Sequence, residues 1–187
     1  MRIQRYLLLL LLSLQIDAEV LVDPELLTSL KNAVNTSSSF EDSYVAQVWL
    51  IDMSGRIENY MKDTDERIRF LNLVHQEASR AGISPELVLS VIHIESLFDR
   101  YAISRVGALG MMQIMPFWTK ELGRIDDNLF QVSTNLRYGC TILAHYLKKE
   151  NGNLQRALAR YNGSLGKTWY PEKVLTVWEK RYFVNHT

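Results

Sequence analysis

Wherever apolar residues recur in this chain they recur at helical spacing, and sustained alternation of apolar with polar residues, the mark of a half-buried strand, is absent. That restricts the fold to an all-α class, and local signals set its boundaries. Val45, Val48, Trp49, Met53 and Ile57 fit one helix between Phe40 and Met61, or two if Gly55 divides it. Asp63 and Glu66 have the spacing of a capping box, with Asp in place of Ser or Thr; Ile68, Leu71, His75 and Ala78 then share a face until Gly82 stops the helix. Ser84 as N-cap and Pro85 as first helical residue open a strongly apolar helix through Val88, Val91, Ile92 and Glu95. A loop of small residues follows from Ser104 to Gly110, then a short helix from Phe117 to Leu122 before Gly123. Gln131 to Glu150 is a long helix, with Val132, Leu136, Ile142, Leu143 and Leu147 at helical spacing and Gly152 as its stop; helices over Leu154 to Tyr161 and Pro171 to Tyr182 complete the set.

The first residues have a different character. Arg2 and Arg5 precede an apolar run from Tyr6 to Leu14 that includes six consecutive leucines, and polar residues return at Gln15 and Asp17. The run is far short of the roughly 20 residues that span a bilayer, so it reads as a signal peptide ending at Ala18. Ile16 departs from the small residue usual three positions before a cut, which leaves a retained anchor as the alternative. Charge narrows the partners: Lys plus Arg and Asp plus Glu both total 21, so there is no net positive field to hold nucleic acid. Cys140 is the only cysteine, which excludes an internal disulfide and a thiolate metal cluster within the chain. His93 and Glu95 stand two apart, on different faces of a helix, and make a poor metal pair. Neither a phosphate loop, a Gly-x-Ser-x-Gly elbow nor a Cys-His pairing is present, so neither a metal nor a cofactor is expected.

Two stretches could carry chemistry. Glu95 closes the run Val88-Leu89-Ser90-Val91-Ile92-His93-Ile94, where burial would lift its pKa from about 4.3 toward the neutral range that a general acid needs. Taken alone, an exposed glutamate at a helix end is the commoner case. The stretch from Ser104 to Pro116 supplies Gly107, Gly110, Gln113 and three methionines. Glycines there would let the backbone approach a ligand, a glutamine can read sugar hydroxyls and acetamido groups, and methionine makes an adaptable wall. A tight turn packed by Met111, Met112 and Met115 is the structural alternative.

In order along the chain, Glu95-Ser96-Leu97-Phe98, Ser104, Gly107 to Pro116, Asn135 to Gly139 and Ala159 to Asn162 resemble the motifs of the soluble lytic transglycosylases and their goose-type lysozyme relatives. The resemblance covers Leu73 to Val177. Met111 stands where leucine is usual, and Gly163-Ser164 replaces the more frequent alanine-glycine pair. The resemblance implies a lysozyme-like helical catalytic domain over residues 63–187, with 1–18 as signal peptide and 19–62 as an N-terminal helical extension. It also implies that Glu95 is the catalytic acid and base, that Ser104 and Gln113 contact the sugar at the scissile bond, and that Met115 lines its pocket. Tyr161 would hydrogen-bond near Glu95, Asn162 would brace that loop or touch substrate, and Asn135 would support the cleft wall. The implied substrate is peptidoglycan, cut between N-acetylmuramic acid and N-acetylglucosamine by an exported, periplasmic monomer, with envelope machinery as further partners. The implied product ends in 1,6-anhydromuramic acid. Two alternatives stand beside this reading. One is a goose-type hydrolase using Asp99, Asp126 or Asp127 as a second carboxylate, and the other is a non-catalytic glycan-binding assembly protein.

Overall fold

The computed structural model describes residues 43–121 and 124–184, with side chains from Trp49 onward. The expected signal peptide (1–18), the extension before Ser43, and Leu122 and Gly123 lie outside the described residues. Seven α-helices follow in order: α1 Ser43–Ile57, α2 Thr64–Ala81, α3 Pro85–Ser96, α4 Phe117–Glu121, α5 Val132–Lys149, α6 Leu154–Tyr161 and α7 Trp169–Val177. The last runs into a π-helical turn, Trp178–Tyr182. No strand occurs among the described residues; Leu109 makes isolated bridges to Ile103 and Ile114 within the α3–α4 loop. The all-α expectation holds, and no described helix is long and apolar enough to cross a membrane.

Local chemistry explains most of the boundaries. The Asp63 carboxylate accepts from the Glu66 amide, and Gly82, at φ 67°, caps the C-terminus of α2 by donating to the carbonyls of Ala78 and Ser79. Ser84 accepts from the Leu87 amide with Pro85 in the first turn, and Asn153 accepts from the Arg156 amide at the start of α6. Three expectations change. Gly55 does not divide α1, whose buried residues Trp49, Met53 and Ile57 offset the cost of about 1 kcal/mol that glycine carries inside a helix. The buried stripe of α2 is Arg67, Phe70, Leu71, Val74, Glu77 and Ala78, leaving Ile68 and His75 half-buried, because α2 packs on both α1 and α5 and turns its face between them. The last helix starts at Trp169 rather than Pro171, since a proline is tolerated anywhere in a first turn whose amides have no helical partner.

The centre of the molecule is α3. It has no polar face: Leu87, Val88, Leu89, Val91 and Ile92 are all buried, each contributing about 1.5–3 kcal/mol of burial free energy. It packs on α2, α7 and the π turn. Its polar residues are bonded to elements far along the chain. Glu86 accepts from Trp49 Nε1 at 2.7 Å, and His93 lies with Nδ1 2.9 Å from the Tyr182 hydroxyl and Nε2 3.5 Å from that of Tyr60. Arg56 of α1 also donates to the Arg181 carbonyl at 2.8 Å. The α1 region and the C-terminal turn thus close over α3 from two sides.

Candidate active site

Glu95 is the penultimate residue of α3, so its carboxyl emerges where the buried helix ends. The chain turns sharply there: Leu97 and Phe98 both take left-handed backbone angles, φ 52° and 66°. Such residues cost about 1–3 kcal/mol each outside glycine. Phe98 offsets this by burial against the rings of Phe70, His93 and Tyr60. Ser96, between Glu95 and the turn, donates to the Met111 carbonyl at 2.9 Å and so ties the helix end to the glycine-containing loop.

Among the described residues, the Tyr170 hydroxyl donates to Glu95 Oε1 at 2.6 Å. Burial raises the Glu95 pKa from 4.5 to about 7, and the Tyr170 bond, which favours the ionised form, holds it from rising further. Burial and the adjacent carboxylate push the phenols of Tyr170 and Tyr161 well above their usual range. Both therefore stay protonated donors when Glu95 changes charge.

The opposite wall is the loop from Ala102 to Met115. Leu109 and Ile114 exchange amide bonds at 2.9 Å, and Gly110 donates to the Ala102 carbonyl at 2.9 Å. This hairpin is seated on one face of α5. Asn135 accepts from the Met112 amide at 2.7 Å and donates to the Leu109 and Leu129 carbonyls, both at 2.9 Å. A Cβ on Gly110, itself at φ 74°, would stand 2.5 Å from the Asn135 amide nitrogen; one on Gly139 would stand 2.3 Å from the Met112 sulfur. Asn135 and Gly139 are one helical turn apart, and together they form the seat: the amide bonds the loop backbone while the missing side chain admits Met112. Asn135 is buried with its amide committed to backbone, and so shapes the loop.

The structure places the remaining candidates around this frame. Tyr161, ending α6, donates to the Met112 carbonyl at 2.8 Å, and Tyr170 is the phenol that donates to Glu95 itself. Sequence spacing starts the last helix at Pro171 and leaves Tyr170 outside it; the signal for this residue is an aromatic directly preceding a first-turn proline. Gln113 has φ 51°, and its Nε2 donates to the Gly110 and Ala102 carbonyls at 2.8 and 3.2 Å, which leaves its amide oxygen as the atom for ligand contact. Ser104 accepts from the Ala108 amide at 2.9 Å and keeps its hydroxyl hydrogen for a ligand. Ser104, Met115 and Asn162 are half-buried, Asn162 as the C-cap of α6. The aspartates are otherwise engaged or remote in character: Asp99 is exposed and accepts from the Tyr101 amide, Asp126 is exposed, and Asp127 pairs with Arg124 and accepts from the Tyr138 hydroxyl.

The model of the transglycosylase SLT domain family matches residues 72–174, more than half of the chain. Membrane-bound lytic murein transglycosylase C from Yersinia pestis and that from Yersinia pseudotuberculosis are each 30% identical, over 52% of this chain and 32% of theirs. The chain thus spans about a third of the length of these relatives. A solved structure of an inactive mutant of lytic transglycosylase Slt from Pseudomonas aeruginosa is 30% identical, covering 52% of this chain and 17% of that one, with a TM-score of 0.45.

Proposed function

Because the chain belongs to the transglycosylase SLT domain family, we propose that it cleaves peptidoglycan between N-acetylmuramic acid and N-acetylglucosamine with Glu95 as sole acid and base. The observation that carries this reading is a glutamate whose pKa is lifted to about 7 by burial and whose carboxyl accepts from a phenol, with no ion pair to it among the described residues. Near neutral pH such a group is available in both protonation states, which a residue that must first give and then take a proton requires.

In the first step the Glu95 carboxylic acid donates its proton to the glycosidic oxygen, and the bond from that oxygen to the muramic anomeric carbon breaks, releasing the N-acetylglucosamine side. The carboxylate left behind then accepts the proton of the muramic 6-hydroxyl, whose oxygen bonds to the anomeric carbon. Atoms balance without water, and the product ends in 1,6-anhydromuramic acid. Tyr170 serves the second half of this cycle, since its hydrogen bond strengthens as Glu95 becomes anionic. The substrate's acetamido oxygen, rather than a protein carboxylate, would stabilise the cation between the steps. A hydrolase of the goose type needs a second carboxylate in many mechanisms. Asp127, bonded to Arg124 and Tyr138, is poorly suited to that part.

The same reading assigns substrate contacts to Ser104, Gln113, Met115, Tyr161 and Asn162, takes 63–187 as the catalytic domain, and places the enzyme in the periplasm after export by residues 1–18. The names of the membrane-bound relatives support an envelope location. Mass spectrometry of purified sacculi digested by the protein tests the reaction. Anhydro-ended fragments, lighter by one water than hydrolysed ones, are expected; reducing ends alone would refute it.

A further inference from the structure

The loop joining α6 to α7 is pinned to the catalytic centre at both ends. Tyr161 before it donates to the Met112 carbonyl, and Tyr170 after it donates to Glu95. What lies between is therefore part of the rim of the site. Gly163 and Gly166, at φ 72° and 87°, turn the chain outward, and Leu165 and Trp169 are left 44% and 47% exposed. Residues 162–173 carry Lys167 and Lys173 against a single acid, Glu172.

A large exposed indole beside an active site calls for a reason. Trp169 is held in place: its ring meets that of Tyr170 at 5.8 Å and 84°, and Lys173 Nζ, one helical turn on, lies 5.4 Å from its centroid. A chain of contacts thus runs from Glu95 through Tyr170 and Trp169 to a surface ammonium.

We propose that Trp169 and Lys173 form a substrate subsite, in which the indole packs on the apolar C–H face of a sugar ring and the ammonium binds a carboxylate carried on that sugar. The proposal rests on peptidoglycan being the substrate. A pyranose with equatorial hydroxyls presents an apolar face that an aromatic ring covers at little entropic cost. Muramic acid adds a carboxylate in one of two places, on the lactyl group itself or on the stem peptide attached to it. Lys173, partly shielded by the indole, offers a charge at the height of the stacked ring.

The test uses the full chain carrying Glu95→Gln, so that ligands are not consumed, and calorimetric titration with three of them. These are a neutral chitooligosaccharide, a glycan stripped of peptide by an amidase, and a peptide-bearing muropeptide oligomer. Trp169→Ala should weaken all three by about 5- to 10-fold. Lys173→Ala should weaken only acidic ligands, by about 3- to 10-fold, with the loss shrinking in about 0.5 M salt. A loss confined to the stripped glycan identifies the lactyl carboxylate; one confined to the muropeptide identifies the stem peptide. Unchanged affinity for the neutral ligand in Trp169→Ala, or a Lys173→Ala loss equal on neutral and acidic ligands, overturns the subsite. Anhydro products from the unsubstituted protein alongside either result would overturn the subsite alone; hydrolytic products would overturn the reaction and leave the subsite standing.

Discussion

Glu77 and Glu95 lie near the ends of consecutive helices, both withdrawn from water, and their surroundings are opposite. Glu77 is the deeper, 2% exposed, and two guanidiniums hold it: Arg80 at 2.6 Å and Arg137 at 2.7 Å. Glu95 has a single phenol. A third glutamate, Glu86, buried at the start of α3, accepts from the Trp49 indole and the Ser84 hydroxyl. Three withdrawn glutamates thus meet three different sets of donors. The carboxylate set between two guanidiniums joins α2 to α5, whereas Glu95, withdrawn beside a phenol, gains a proton affinity that chemistry can use.

Four measurements break or sharpen that contrast. The largest effect is expected at Glu95 itself: Glu95→Gln should lower release of anhydro-ended fragments by at least about 10³-fold while the far-ultraviolet circular dichroism spectrum is kept. Residual activity within tenfold of the parent would remove Glu95 from its role. Next comes Glu77→Gln, which should cost about 3 kcal/mol in urea denaturation by removing the carboxylate charge that Arg80 and Arg137 share, yet leave turnover per folded molecule unchanged. An equally stable variant would show that the ion pairs are not what holds α2 to α5.

The third measurement reads Glu95 through stability. The unfolded chain releases this proton near pH 4.5 and the folded protein near pH 7, so the native state binds more protons in between. Its contribution is present below pH 4.5 and is lost as pH rises through 7. Glu95→Gln should therefore stabilise the protein by about 1–3 kcal/mol at pH 8 and by nothing measurable at pH 4. The opposite trend would mean that a cation approaches Glu95. Smallest is Tyr170→Phe. Without the bond that favours the anion, the Glu95 limb of the pH–rate profile should move to higher pH, with a loss of less than about tenfold at neutrality. A move to lower pH would reassign the phenol.

How much of this was legible in the sequence follows from how far each cause acts along the chain. Caps at Asp63, Ser84 and Asn153 depend on residues three positions away, and the helix ends they mark are readable. The Ser104–Pro116 and Asn135–Gly139 motifs were visible as patterns. Their connection was not, because Asn135 meets Met112 and Gly139 meets the Met112 sulfur only once α5 and the loop are assembled. Tyr170 reaches Glu95 across 75 residues, and Arg137 reaches Glu77 across 60; no local spacing announces either. The phase of α2 misled for the same reason, since Arg67 is buried by bonds to the Met61 carbonyl and Ser54.

The contacts at His93 and Glu86 carry a consequence for how such a chain can diverge. The match to the family model runs from 72 to 174, whereas three partners of these two residues, Trp49, Tyr60 and Tyr182, fall outside it. The helix that bears the acid thus lies within the matched region, while part of its polar bonding comes from residues outside it. Those flanks cannot drift independently: a change at Tyr182 or Trp49 leaves a polar atom of α3 to be matched again, so compensating substitutions should travel in pairs between the ends of the chain and its centre.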